Sequence, residues 1–217
     1  MNACGLDCPG PGGASLTVAA ALLALTHALP NAFEAIAGDA SAALGGSIPP
    51  SLFLGLGFAA VLCTLPAGLL VDRAGPAAGA AAGGALAAGA AVAMSFSQSA
   101  WLGAVLYTAA CLGCGWIVVS ALAAAVRAQW GPAVGVTSAA TSTGLLLAEM
   151  CFQQTRTLGW GTCGSDDGEC WRSQLRSVAV MSGCSAGVAV LILVWASTRT
   201  STSTSSRSEW TEASQME

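Results

Sequence analysis

Apolar residues run along this chain in long unbroken blocks, and the charged residues collect between them. No charge lies between Ala40 and Val71 or between Ala74 and Val126, and only Glu149 falls between Ala128 and Thr155. A helix that packs on a soluble core alternates an apolar stripe with a charged face. These blocks have no such charged face, and each is long enough for membrane spans of about 20 residues. Turn residues and charges divide them into six predicted helices, over Ser15 to Ala37, Ser51 to Val71, Pro76 to Phe96, Trp101 to Ala124, Pro132 to Phe152 and Leu175 to Ala196. In lipid the backbone must satisfy its own hydrogen bonds, which leaves the helix as the form for runs of this length. The expected fold class is therefore all-α and polytopic. A polar segment (1–14) precedes a six-helix transmembrane domain (15–196), and a Ser/Thr-rich tail (197–217) has too little to bury to hold a structure. Short connections make the second and third, third and fourth, and fourth and fifth spans antiparallel neighbours.

Composition supports the lipid bilayer as the chain's principal partner. Of the 217 residues 54% are hydrophobic and 8% charged, whereas a soluble domain carries about 25% charged residues. The net charge of −4 comes mostly from the loop around Asp166 and from the tail. No basic face is left for nucleic acid. The start, MNACGLDCPGPGGAS, has no basic region ahead of its first apolar run, so no cleavable targeting segment is expected. The third span is rich in Ala and Gly, and Gly75, Gly79 and Gly83 recur at the interval that lets helix backbones touch. That places it inside a bundle.

The stretch LPAGLLVDRAGP, Leu65 to Pro76, sets an aspartate and an arginine in the turn between the second and third spans. Headgroups and water solvate both charges there. Gly68, Asp72, Arg73 and Gly75 match the G-x-x-x-D-R-x-G signature, and the chain resembles the major facilitator superfamily on that ground. The stretch NAFEAIAGDASAALGGSIPPSLFLGLGFAAVLCTLPAGLLVDRAGP is similar to the nodulin-like branch, with Phe33 as the aromatic residue near the end of the first helix. LGCGWIVVSALAAAVRAQWGPAVGVTSAATSTG resembles the family's fourth helix, short loop and fifth helix, with Arg127 at the loop. The resemblance implies half of a twelve-helix transporter that moves a small solute by alternating access. It implies a cytoplasmic latch of Gly68, Asp72, Arg73, Gly75 and Arg127, with both termini in the cytoplasm. A second six-helix half, or a second copy of the chain, would complete the solute site, and the sequence is expected to be either a half-size protein or the first part of a longer one. Two departures argue against proton coupling: Pro76 and Ala77 stand where the family has basic residues, and Ala109 where it has an arginine.

Candidate chemistry is sparse. His27, Asn31 and Glu34 follow each other at i+4 and i+7, which puts them on one helix face. Ionisable groups within a span are costly and usually face a cavity or a partner, so this stripe is the candidate transport path, with Glu149 as a further member. Glu34 and Glu149 also lie close to span ends, where hydration alone would accommodate them. Pro30 interrupts the backbone ladder within the stripe. Thr137, Thr141 and Ser142 add hydroxyls that either line the path or bond their own helix carbonyls. Of nine cysteines, Cys63, Cys111, Cys114, Cys151 and Cys184 fall in apolar runs and behave as small hydrophobes.

In the loop implied to be extracytoplasmic, Cys163 and Cys170 would close a small disulfide ring in an oxidising compartment. Together with Cys111 and Cys114 they are similar to the cysteine pairs of membrane thiol oxidoreductases of the vitamin K epoxide reductase type, which makes a redox enzyme the alternative function. A scaffold that transports nothing is the other. GCSAG, Gly183 to Gly187, fits a nucleophile motif but lies within an apolar helix, where small-residue packing is the expected use. No nucleotide-binding loop, metal-ligand spacing or carboxylate pair is present. The expectation is a non-enzyme without cofactor.

Overall fold

The computed structural model describes residues 11–26, 28–45, 49–128, 132–158 and 170–213. These form eight helices and no strand: α1 (Pro11–Thr26), α2 (Ala28–Ala43), α3 (Pro50–Leu62), α4 (Leu65–Ala74), α5 (Pro76–Met94), α6 (Ala100–Arg127), α7 (Ala133–Leu158) and α8 (Cys170–Ala213).

Proline sets one of the boundaries. A proline has no N–H for the carbonyl four residues earlier, and its ring crowds that carbonyl. α3 ends at Leu62, four residues before Pro66. There the Cys63 amide turns back to the Ala60 carbonyl at 3.0 Å, and the Ala67 and Gly68 amides restart the ladder on the Thr64 carbonyl. Between α1 and α2, His27 lies outside the described residues; just before it the Thr26 hydroxyl donates to the Leu23 carbonyl at 2.6 Å. The first expected span covers α1 and α2, the second α3 and α4.

Three helices are long and apolar enough to cross a membrane: Pro76–Met94, Ala100–Arg127 and Cys170–Thr198. They coincide with the third, fourth and sixth expected spans. Their 19, 28 and 29 residues reach about 28 to 44 Å, against a hydrocarbon layer of about 30 Å. The other three expected spans differ. The first is described as two 16-residue segments on either side of His27, and Pro66 divides the second into segments of 13 and 10 residues. α7 has the length, at 26 residues, but dilutes its apolar content with Thr137, Ser138, Thr141, Ser142 and Thr143. Among the described residues the protein is all-α, with three membrane-length apolar helices.

α8 begins before Leu175, at Cys170, and stays helical to Ala213 through the Ser/Thr-rich segment. Once the apolar part is fixed, each added residue gains a hydrogen bond at a propensity cost of roughly half a kcal/mol for Ser or Thr relative to Ala.

α5 packs chiefly on α6 and α8. A methyl added at Gly113 would stand 2.5 Å from the Ala87 amide nitrogen and 2.6 Å from the Gly83 carbonyl oxygen, so α5 and α6 meet backbone to backbone. Gly79 gives way likewise to Ser120 and Val71. The glycine-rich third span is an inner helix, as its small residues predict. On its other side Gly84 packs on Ala186 and Ala88 faces Gly183. α1 runs antiparallel to α8, with the Ser185 hydroxyl donating to the Leu22 carbonyl at 3.2 Å. Leu23, Ile36, Met94, Ile117 and Trp171 fill the core between the alanines, while Leu102, Val105, Val126, Val188 and Leu191 are exposed. An apolar exterior on the long helices suits lipid as solvent. Antiparallel packing brings the α4–α5 turn, the end of α6, the start of α1 and Trp195 to one end of the bundle, and Ser95 and the start of α8 to the other.

Candidate functional site

At the first of these ends the chain reverses within one residue. Gly75 has φ 86°, a left-handed conformation that a side chain disfavours. Its amide donates to the Val71 carbonyl at 2.9 Å and closes α4. Pro76 then opens α5 at the helix position that needs no N–H. Asp72 and Arg73 occupy the last turn of α4, both exposed. Arg73 sits favourably at the negative end of the helix dipole.

α6 ends beside this turn. The Arg127 Nη1 atom lies 3.6 Å from where a Cβ on Gly75 would stand, which lays the guanidinium over the reversal. Of the five residues expected to form the latch, Gly75 and Arg127 are in contact range, and Asp72 and Arg73 flank them in the same turn. Gly68 is half-buried one helical turn before Asp72, with open space at its Cβ position. The arrangement offers solvated charges of both signs at a helix junction.

The expected transport path lies outside the described residues. His27 is not among them, and of Asn31, Glu34 and Glu149 only the helical backbone of α2 and α7 is described. Neighbouring hydroxyls on α7 are accounted for: Thr137, Thr141 and Ser142 donate to the carbonyls of Ala133, Thr137 and Ser138 at 2.8, 3.1 and 3.4 Å. Bonding to the own helix is the alternative that their spacing left open. Their oxygens remain acceptors.

The cysteines separate into two groups. Cys111 and Cys114 are buried and free on α6. A methyl on Gly57 of α3 would stand 2.7 Å from the Tyr107 ring and 2.9 Å from Cys111 Sγ, so the thiol is enclosed by helix packing. Cys170, at the first residue of α8, is disulfide-bonded. Cys163, the expected partner, lies outside the described residues. The GCSAG segment is interior to α8: Gly183 faces Ala88, and Ser185 bonds α1 in place of any base.

Sequence reasoning missed one cluster at the opposite end. Arg172 lies before and Arg176 just inside the sixth span expected from Leu175, and neither was a candidate site residue. With α8 starting at Cys170 they share one helix face, and both bind Ser95 at the end of α5. Their i, i+4 spacing was the available signal. Among the described residues no group of three or more His, Cys, Asp or Glu is placed to hold a metal ion.

Compared with models of known protein families and with curated proteins, the chain matches none.

Proposed function

We propose that this chain is a multi-pass membrane protein with six spans, three of them the long apolar helices and three built from α1–α2, α3–α4 and α7. In this proposal it corresponds to the N-terminal half of a major-facilitator-type bundle of the nodulin-like branch. It moves a small solute by alternating access, without a cofactor and without covalent chemistry. Both termini are cytoplasmic, and a second copy or a separate second half completes the solute site.

The observation that carries the proposal is the junction of α4, α5 and α6. An aspartate–arginine pair, a glycine with φ 86° and the Arg127 guanidinium are gathered there, at the end of helices that pack backbone to backbone. Rigid close-packed helices that end in solvated, exchangeable charges suit a hinge whose two positions differ in ion pairing. The thiol-redox alternative draws less support, since helix packing encloses Cys111.

The test is solute uptake by proteoliposomes containing the purified full chain, over a panel of sugars, amino acids, organic acids and inorganic anions. Asp72→Asn is expected to insert and express normally. It should lower uptake by about tenfold, the size of a typical coupling between two conformations. A fully active Asp72→Asn protein would remove the latch from the mechanism, and a chain inert towards every solute would favour the scaffold.

A further inference from the structure

Arg172 and Arg176 converge on one residue. Arg172 Nη1 donates to the Ser95 carbonyl at 2.8 Å, and Arg176 Nε to the Ser95 hydroxyl at 2.9 Å. Ser95 is fully buried, and its hydroxyl in turn donates to the Val92 carbonyl at 2.7 Å. Capping of α5 explains part of this arrangement, since cations are favoured at a helix C-terminus. That terminus, however, carries about half an elementary charge against two full ones. Neither arginine forms an ion pair with a described carboxylate; their hydrogen bonds go to Ser95. Each guanidinium has five N–H donors and stays charged. Arg172 Nε is enclosed and has no hydrogen-bond partner. Two like charges held on one serine, beside an enclosed Arg172 Nε without a partner, call for an anion.

The surroundings indicate which anion. Arg176 lies 4.4 Å from the centroid of the Phe96 ring, and Phe96 and Trp101 are 64% and 67% exposed at the ends of the long apolar helices. Aromatic side chains at such ends mark the membrane interface, the depth of the lipid headgroups. We infer that Arg172 and Arg176 hold the phosphate of a membrane phospholipid, with Phe96 and Trp101 against its glycerol and first acyl carbons. The guanidinium fork suits phosphate oxygens, and the anion removes the repulsion between the two cations. This site is separate from the proposed latch and stands whether or not the chain transports.

The test is native mass spectrometry of the purified full chain in detergent. The probes are phosphatidylglycerol, diacylglycerol with the same acyl chains, and inorganic phosphate as competitor. The parent is expected to retain phosphatidylglycerol and release diacylglycerol. R172Q/R176Q should bind phosphatidylglycerol at least about tenfold more weakly, the loss of one charge-assisted contact. R207Q removes a charge elsewhere and should bind as the parent does. R172K/R176K keeps the charge while losing the fork, so it should fall between parent and Gln variant and serves if the Gln variant fails to fold. Equal retention of the two lipids, or a Lys variant indistinguishable from the parent together with an unchanged Gln variant, would overturn the inference. Displacement of the lipid by millimolar inorganic phosphate would overturn the lipid in favour of a soluble anion. Asp166, Asp167 and Glu169 precede α8 and are the competing counter-charge. If D166N/D167N/E169Q binds phosphatidylglycerol and the parent does not, the arginines belong to that loop and the inference fails.

Discussion

Gly113 shows how much of this bundle rests on missing side chains. A methyl there would meet the Ala87 nitrogen and the Gly83 oxygen, both backbone atoms of α5, so neither can turn aside as a rotamer would. Gly113→Ala is expected to destabilise the protein by about 1–3 kcal/mol, the range for overpacking a tight contact. Gly89, also helical, has nothing within 4 Å of its Cβ position. Gly89→Ala should be neutral or stabilising by up to about 1 kcal/mol through helix propensity. Thermal unfolding of both variants in one detergent checks the pair, and equal midpoints would refute the backbone contact. The donor side of this contact was legible, because Gly79 and Gly83 recur at a recognised interval. The receiving side was not. Gly113 lies inside CLGCG, where the cysteines attract attention, and a single glycine carries no period. Gly75 was legible for another reason, as the residue between a charged pair and a proline that must reverse the chain.

At the scale of elements a proline sets a boundary that hydropathy passes over. Pro66 lies within an expected apolar span, and α3 ends four residues before it. The break expected at Pro30 falls beside His27, outside the described residues. Hydropathy sums over a window and registers proline only weakly, whereas the backbone ladder registers each missing N–H. That is why blocks of apolar residues foretold α5, α6 and the apolar part of α8 but overstated the continuity of the second span. Pro66→Ala restores the donor for the Leu62 carbonyl and should fuse α3 with α4. Amide exchange at Thr64 to Ala67 is expected to slow by at least about tenfold, as one helical hydrogen bond net of solvent would produce. Unchanged exchange would show that packing, and not Pro66, sets the break. The start of α8 was misplaced for a related reason: the apolar run begins only at Leu175, although Arg172 before it is a good helix former.

The disulfide at Cys170 bears on the whole molecule, because it ties one end of the bundle to a redox compartment. Cys63, Cys111, Cys114 and Cys184 are free, which leaves Cys4, Cys8, Cys151 and Cys163 as partners for Cys170. Cys163 is the expected one, since Gly164, Asp166, Asp167 and Gly168 between them favour a tight exposed turn. Cys163→Ser should then open Cys170 to maleimide without prior reduction, while serine at Cys4, Cys8 or Cys151 should not. Disulfides persist in secretory and extracellular compartments and are rare in the cytosol. On the proposed topology Ser95, Arg172 and Arg176 lie with bonded Cys170 at the end facing away from the cytosol, and antiparallel packing of α5 against α6 and α8 puts Asp72, Arg73 and Arg127 at the cytosolic end. The compartment that a disulfide needs agrees with the orientation implied by the aspartate–arginine turn, although the two arguments share no residue. Glycosylation-acceptor scanning tests them together. An acceptor placed in the loop before Cys170 should be modified, and one placed between Ser197 and Glu217 should not. If the tail acceptor is modified instead, the turn faces the lumen or the exterior, and the Cys170 end then faces the cytosol, where its disulfide would not persist. A modified tail would thus be followed by a Cys170 thiol that labels freely in intact cells, whereas a protected thiol with an unmodified tail is the expected outcome.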